Sequence, residues 1–100
     1  MKLKPYFARV LIKRELKEKV GSIFIPENIR KRHAACIGEV VAVGSDADPS
    51  IEEGQTVMFG QHAGAWLDRN FNPLSEEKVE DEGAYFILQD EDLWGEVTDG

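Results

Sequence analysis

A single all-β domain, a small barrel or sandwich, is what these 100 residues predict, and three observations predict it. The apolar residues fall in short runs of strand type, rich in β-branched and aromatic side chains. Glycine, proline and asparagine punctuate those runs where a chain must reverse. No stretch sustains the 3.6-residue period over the ~11 residues of an average helix.

Six runs make up the expected strands. FARVLIKR (7–14) comes first, and IGEVVAVG (37–44) ends on Gly44 with Pro49 soon after. QTVMF (55–59) is framed by Gly54 and Gly60. GAWL (64–67) runs out into Asn70 and Pro73, and Gly83 introduces AYFILQ (84–89). LWGEV (93–97) closes the set. Several short strands in one small domain argue for a barrel or sandwich. One hundred residues is the size of one domain, and 42% apolar with 31% charged residues places it among globular chains.

Totals also narrow the function classes. No apolar run approaches the ~20 residues that span a bilayer, and the opening MKLKPYFARVLIKRE lacks the apolar block of a signal peptide. The one cysteine, Cys36, precludes an intrachain disulfide, which suits a reducing compartment. A soluble cytoplasmic protein is therefore expected. Charge is unevenly spread: residues 1–33 carry a balance of +7 and residues 34–100 one of −14, within a net charge of −7. Such asymmetry suits either a basic nucleic-acid arm or electrostatic assembly between copies.

Chemistry for catalysis or metal binding is weak. His33, Cys36 and His62 cannot supply the four paired ligands of a structural zinc site, and nothing accompanies Cys36 to make it a nucleophile. Asp46, Asp48 and Ser50 imitate the start of a calcium loop, but Ile51 and Val57 stand where its glycine and bidentate glutamate belong. The pairs Glu52/Glu53 and Glu76/Glu77 sit in polar loops and are expected to face water. No cofactor is expected. Nucleic acid has the basic cluster 29–33 in its favour, and against it an isoelectric point near 4.8 and aromatics that lie in the acidic two-thirds.

Two segments resist the strand pattern: 15–35, and the acidic 68–82. Loops this long inside a compact domain are usually functional or disordered. The first holds the triad Ile23, Phe24, Ile25, with Gly21 and Ser22 before it and Pro26 after it. From the residues alone it reads either as one more strand or as an exposed recognition strip. Gly21 supplies backbone freedom and Pro26 an extended exit. Burying Ile, Phe and Ile yields roughly 1.5–3 kcal/mol each, while ordering their surroundings costs about 1–2 kcal/mol per residue. A single arm would bind weakly, so such a strip would act in multiple copies.

Five stretches in order resemble the co-chaperonins of the GroES family, the chaperonin-10 type. KPYFARVLIKR (4–14) resembles the family's opening strand, and SIFIP (22–26) falls where members carry Gly-Ile-Val-Leu/Ile-Pro. GEVVAVG (38–44) is close to the family's Gly-x-Val-x-Ala-Val-Gly. GQTVMF (54–59) with Ala63-Gly64, then AYFIL (84–88) with Glu91-Asp92-Leu93, complete the series. The resemblance implies one domain over 1–100, an irregular GroES-like β-barrel with a mobile loop at about 15–35, assembling into a seven-membered ring. It implies that Ile23, Phe24 and Ile25 contact a GroEL-type chaperonin, with Gly21, Ser22 and Pro26 as the loop hinge. It further implies that Leu3, Pro5 and Phe7 of one subunit meet Leu93, Trp94 and Val97 of the next. The ring would cap an ATP-loaded chaperonin over an unfolded client, with ATP chemistry left to the partner and no enzymatic role for the ring.

Departures accompany the resemblance. Ala8 stands where aspartate is usual, Ser22 replaces a glycine, and Phe24 is bulkier than the usual valine. Only SDADPSIEE (45–53) remains for the roof loop, while the insertion at 68–82 is longer than members carry. A divergent, phage-encoded member is one origin that these departures fit. The rival readings are a stand-alone β-barrel module binding nucleic acid and a fragment of a zinc-dependent dehydrogenase with a GroES-like domain. The second lacks both the metal ligands and the dinucleotide-binding domain.

Overall fold

Alternating residues turn one face of each strand inward, and the aromatic ones among them force the sheet to roll. The computed structural model describes residues 2–14, 19–20, 23–24, 35–60 and 62–98. Its strands are β1 (Arg9–Arg14), β2 (Lys19–Val20), β3 (Ile23–Phe24), β4 (Ala35–Val43), β5 (Thr56–Gly60), β6 (Ala65–Leu67), β7 (Tyr85–Gln89) and β8 (Leu93–Glu96). Among the described residues β2 and β3 pair only with each other. The other six form one antiparallel sheet in the order β6-β7-β1-β4-β5-β8. All six runs expected from the sequence are strands, and the all-β class holds.

In a flat sheet β5 and β7 would lie three strand spacings apart, about 14 Å, and β5 and β6 about 19 Å. Instead the Phe59 ring of β5 stacks on Phe86 of β7 at 4.8 Å and meets Trp66 of β6 at 6.2 Å. Trp66 and Phe86, opposite each other on neighbouring strands, complete the cluster at 4.5 Å. The sheet is therefore curled into a small barrel whose interior is filled by side chains. Val10, Ile12, Val40, Val57 and Leu88 pack with the three aromatics.

Two irregularities help the curl. Ile12 pairs with Val40 while Leu11 pairs with Ala42, leaving Val41 as an extra residue on β4. Phe59 pairs with Leu93 while Met58 pairs with Gly95, leaving Trp94 extra on β8. A bulge of this kind bends and twists its strand.

The two long polar stretches are built by local hydrogen bonds. At 45–53, the Asp48 carboxylate accepts from the Ser50 amide and hydroxyl, and the Asp48 amide donates to Asp90 Oδ2 at 2.8 Å. At 68–74, Asp68 Oδ1 accepts from the amides of Asn70 and Asn72, so the chain doubles back. Leu74 then donates to the Trp66 carbonyl, and Pro73 bridges to Leu67. Phe71, left-handed at φ 65°, lays its ring 4.8 Å from Tyr85. A 3₁₀ turn (Glu76–Lys78) and a single α-helical turn, α1 (Val79–Glu82), complete the insertion; a second 3₁₀ turn spans Asp90–Asp92. No helical period marks this segment because one turn is too short to display one.

Phe86 is the shared partner of both other aromatics, so Phe86→Ala should cost about 3–5 kcal/mol, read from chemical denaturation. A loss below about 1 kcal/mol would contradict the stacked core. The Asp48 carboxyl is held below the usual 3.8 chiefly by the Ser50 amide, and that of Asp68 chiefly by the Asn72 amide. Each group binds its proton less readily folded than unfolded, so its stabilisation is complete above the ordinary value. It is lost as pH falls through the lowered native value. Amide exchange at Ser50, Asn70 and Asn72, corrected for its intrinsic pH dependence, should therefore speed up only below about pH 4; speeding between pH 7 and 5 would contradict this assignment.

Candidate assembly and partner-binding surfaces

Ile23 and Phe24 form a strand, but not a strand of the barrel. Lys19 pairs with Phe24 and Val20 with Ile23 in a separate two-stranded sheet. Two residues separate Val20 from Ile23, and the first of them is glycine, a composition that two-residue hairpin connections favour. Of the alternatives left by the sequence, a further strand of the barrel sheet is thus not what the backbone forms. Ile25, Gly21, Ser22 and Pro26 lie outside the described residues.

The six residues expected at a subunit interface divide into two groups. Pro5 is buried, Leu3 and Val97 are half-buried, and Leu93 is partly buried against the core. Phe7 and Trp94 are exposed, at 65% and 61%. Tyr6, at 72%, joins them as an exposed aromatic that the sequence reading did not single out. Its ring lies 6.1 Å from that of Phe7.

Phe7 departs from expectation, because β1 begins two residues later than the apolar run suggests. Arg9 donates to the Tyr6 carbonyl, closing a turn in which Phe7 is left-handed at φ 60°. A bulky residue takes that conformation only when its surroundings enforce it. Three backbone bonds do so here: Asp46 donates to Phe7, Gly44 to Arg9, and Asp90 to Ala8. Gly44 permits the approach, since a Cβ there would collide with the Phe7 carbonyl oxygen. Neither Tyr6 nor Phe7 carries a sequence signal for this turn; it is imposed by the loops that surround it.

The sheet's two edges meet different fates. The edge of β6 is covered by the chain's own fold-back, in which Leu74 donates to Trp66 and Pro73 faces Leu67. Proline offers no N–H to a further strand. The outer edge of β8 pairs with no described strand. Beside it, the bulged Trp94 lays its indole near Gly60, where an added Cβ would lie 3.5 Å from Cζ2. Residues 2–5 form no strand with any described residue. Lys2 and Lys4 occupy that arm, whereas Glu91, Asp92 and Glu96 flank β8.

Among the described residues no polar or charged side chain is buried, and no three His, Cys, Asp or Glu cluster as metal ligands would. The two carboxylates with lowered pKa, Asp48 and Asp68, are loop residues whose partners are their own neighbours. The arrangement offers surfaces and a free strand edge. No described helix is long and apolar enough to cross a membrane.

Comparison with known proteins gives the family. The family described as Chaperonin 10 Kd subunit matches residues 2–97. The co-chaperonin GroES of Thermosipho melanesiensis is 34% identical over 103 aligned residues, covering 99% of this chain and 100% of that protein. That of Geobacter metallireducens is 32% identical, covering 97% and 99%. That of Rubrobacter xylanophilus is 31% identical, covering 99% and 100%. With residues 2–97 matched and six of its strands in one curled sheet, the chain belongs to the chaperonin 10 family of GroES co-chaperonins.

Proposed function

We propose that the chain is a co-chaperonin that forms a homoheptameric ring and caps an ATP-loaded GroEL-type chaperonin over an unfolded client. The unequal sheet edges carry this reading. One edge is sealed by the 68–74 fold-back, the other is open beside Trp94, and an unpaired basic arm lies at 2–5. Two different surfaces that fit each other make a head-to-tail contact, and repeating it around an axis closes a ring. In that contact Leu3, Pro5 and Phe7 of one subunit would meet Leu93, Trp94 and Val97 of the next, with Lys2 and Lys4 facing the acidic flank of β8. Ile23, Phe24 and Ile25 would grip the chaperonin, with Gly21, Ser22 and Pro26 as the hinge. ATP hydrolysis belongs to the partner, so the ring needs neither cofactor nor catalytic group, and the work is done in the cytoplasm.

Sedimentation tests the ring. The wild type is expected to run as a heptamer at micromolar concentration, and a monomer there would overturn the assembly. Trp94→Ala should shift the protein towards monomer while altering the fold of the subunit by less than about 0.5 kcal/mol, because Trp94 is exposed in it. Co-sedimentation with a GroEL-type chaperonin tests the partner. Capture is expected with ATP and not without it. Changing Ile23, Phe24 and Ile25 together to serine should abolish capture and leave the ring assembled; equal capture of both proteins would sink the role given to the triad.

A further inference from the structure

Arg14 is the last residue of β1, and its side chain gathers three parts of the molecule. Its backbone amide donates to the Ala84 carbonyl at 2.9 Å. Its guanidinium donates through Nη1 to the Val79 carbonyl, and the Gly83 carbonyl lies 3.5 Å from the same nitrogen. Those two oxygens belong to the first residue of α1 and to the residue just after it. The guanidinium also lies over the indole of Trp66, with Cζ 5.2 Å from the ring centroid. Trp66 is in β6, from whose end the 68–82 insertion departs. Gly83 leaves room for this arrangement: a Cβ there would lie 2.9 Å from Nη1 and collide with the Val79 carbonyl oxygen.

The insertion is thus fastened at both ends, by the fold-back on β6 and by Arg14 at α1. The second fastening lies at the residue from which the chain enters 15–34. We propose that Arg14 is a positioning residue: it ties the insertion to the end of β1 and sets the direction in which the chaperonin-seeking arm leaves the barrel. This inference rests on the co-chaperonin reading of the arm. A guanidinium suits the task because it is a rigid fork of donors with a flat face for an aromatic ring. An arm with a fixed root explores less volume, so its tip is at higher effective concentration near the partner. Loosening the root adds ordering entropy that capture must overcome.

The test compares wild type with Arg14→Gln, Arg14→Lys and Gly83→Ala. Gly83→Ala keeps Arg14 but displaces its acceptors. A nitroxide at position 17, with Cys36→Ala removing the native cysteine, reports order at the root of the arm without any partner. Arg14→Gln is expected to assemble, to exchange the Gly83 and Ala84 amides faster, to sharpen the nitroxide lines, and to be captured roughly five- to tenfold more weakly. Arg14→Lys keeps the charge without the fork and should fall between. Faster exchange with unaltered nitroxide lines overturns the proposal, as does a sharpened line with unaltered capture. Should Arg14→Gln fail to assemble, Gly83→Ala carries the same comparison, and a ring with unaltered lines and capture overturns it. Should the wild type itself go uncaptured, the co-chaperonin reading fails, while the nitroxide lines still decide whether Arg14 orders the root.

Discussion

The packing of Phe59 against Phe86 and Trp66 is the interaction on which the rest depends. Side chains from β5, β6 and β7 can meet at 4.5–6.2 Å only if a six-stranded sheet curls through most of a cylinder. Burying three large rings supplies a substantial part of the apolar driving force in a chain this small. Curling leaves a seam between β6 and β8, so two strand edges remain to be managed. An exposed edge is a template for unwanted pairing. One edge here is closed by the subunit's own backbone, and the other is left open beside an exposed tryptophan. The same aromatic cluster therefore dictates the core and leaves the edge at which, in the proposed ring, a second copy would attach.

The short loops at 45–53 and around Asp90 serve that arrangement by fixing the entry to β1. Their amides hold the Tyr6–Arg9 turn, and they hold Phe7 in a conformation that costs a non-glycine residue of order 1–3 kcal/mol. The outcome is a pair of aromatic rings in water at the base of the N-terminal arm. Burial against a neighbouring subunit would offset that cost. Trp94 is in a comparable position, pushed out of the β8 ladder by a bulge and resting near a glycine. Exposure of Tyr6, Phe7 and Trp94 is thus produced by backbone geometry at each place.

Legibility in the sequence followed the range of the forces involved. Strand-type runs placed all six barrel strands to within two residues, because alternation and β-branched content are local signals. Phe7 defeated that reading: it is apolar and adjoins the strand, but its left-handed φ is set by amides from residues 44–46 and 90. The fold-back at 68–74 was likewise hidden, since Asp68, Asn70 and Asn72 look like any polar loop until one carboxylate collects both amides. Arg14 appeared as one more cation at a strand end; its two carbonyls are 65 and 69 residues away in sequence. The triad was visible as an oddity from composition, and the exclusion of Ile23 and Phe24 from the barrel sheet needed the β2–β3 register. Family membership was readable because five motifs stand in the family's order along the chain.

Assembly and capture are linked by the same energetic limits. Three apolar side chains contribute about 5–9 kcal/mol on burial, and fixing even five or six arm residues consumes much of that. One arm is then too weak to hold a partner. Arms carried on one ring act together, because each contact raises the effective concentration of the next. In the proposed complex the open edge at β8 would therefore be as necessary to capture as the triad, although it would meet a neighbouring subunit and not the chaperonin. A chain with perfect arms and a sealed second edge would be a stable barrel without avidity. In this protein the insertion at 68–82 seals one edge, and under the proposed assembly that asymmetry would be what makes a small domain fit to act in rings.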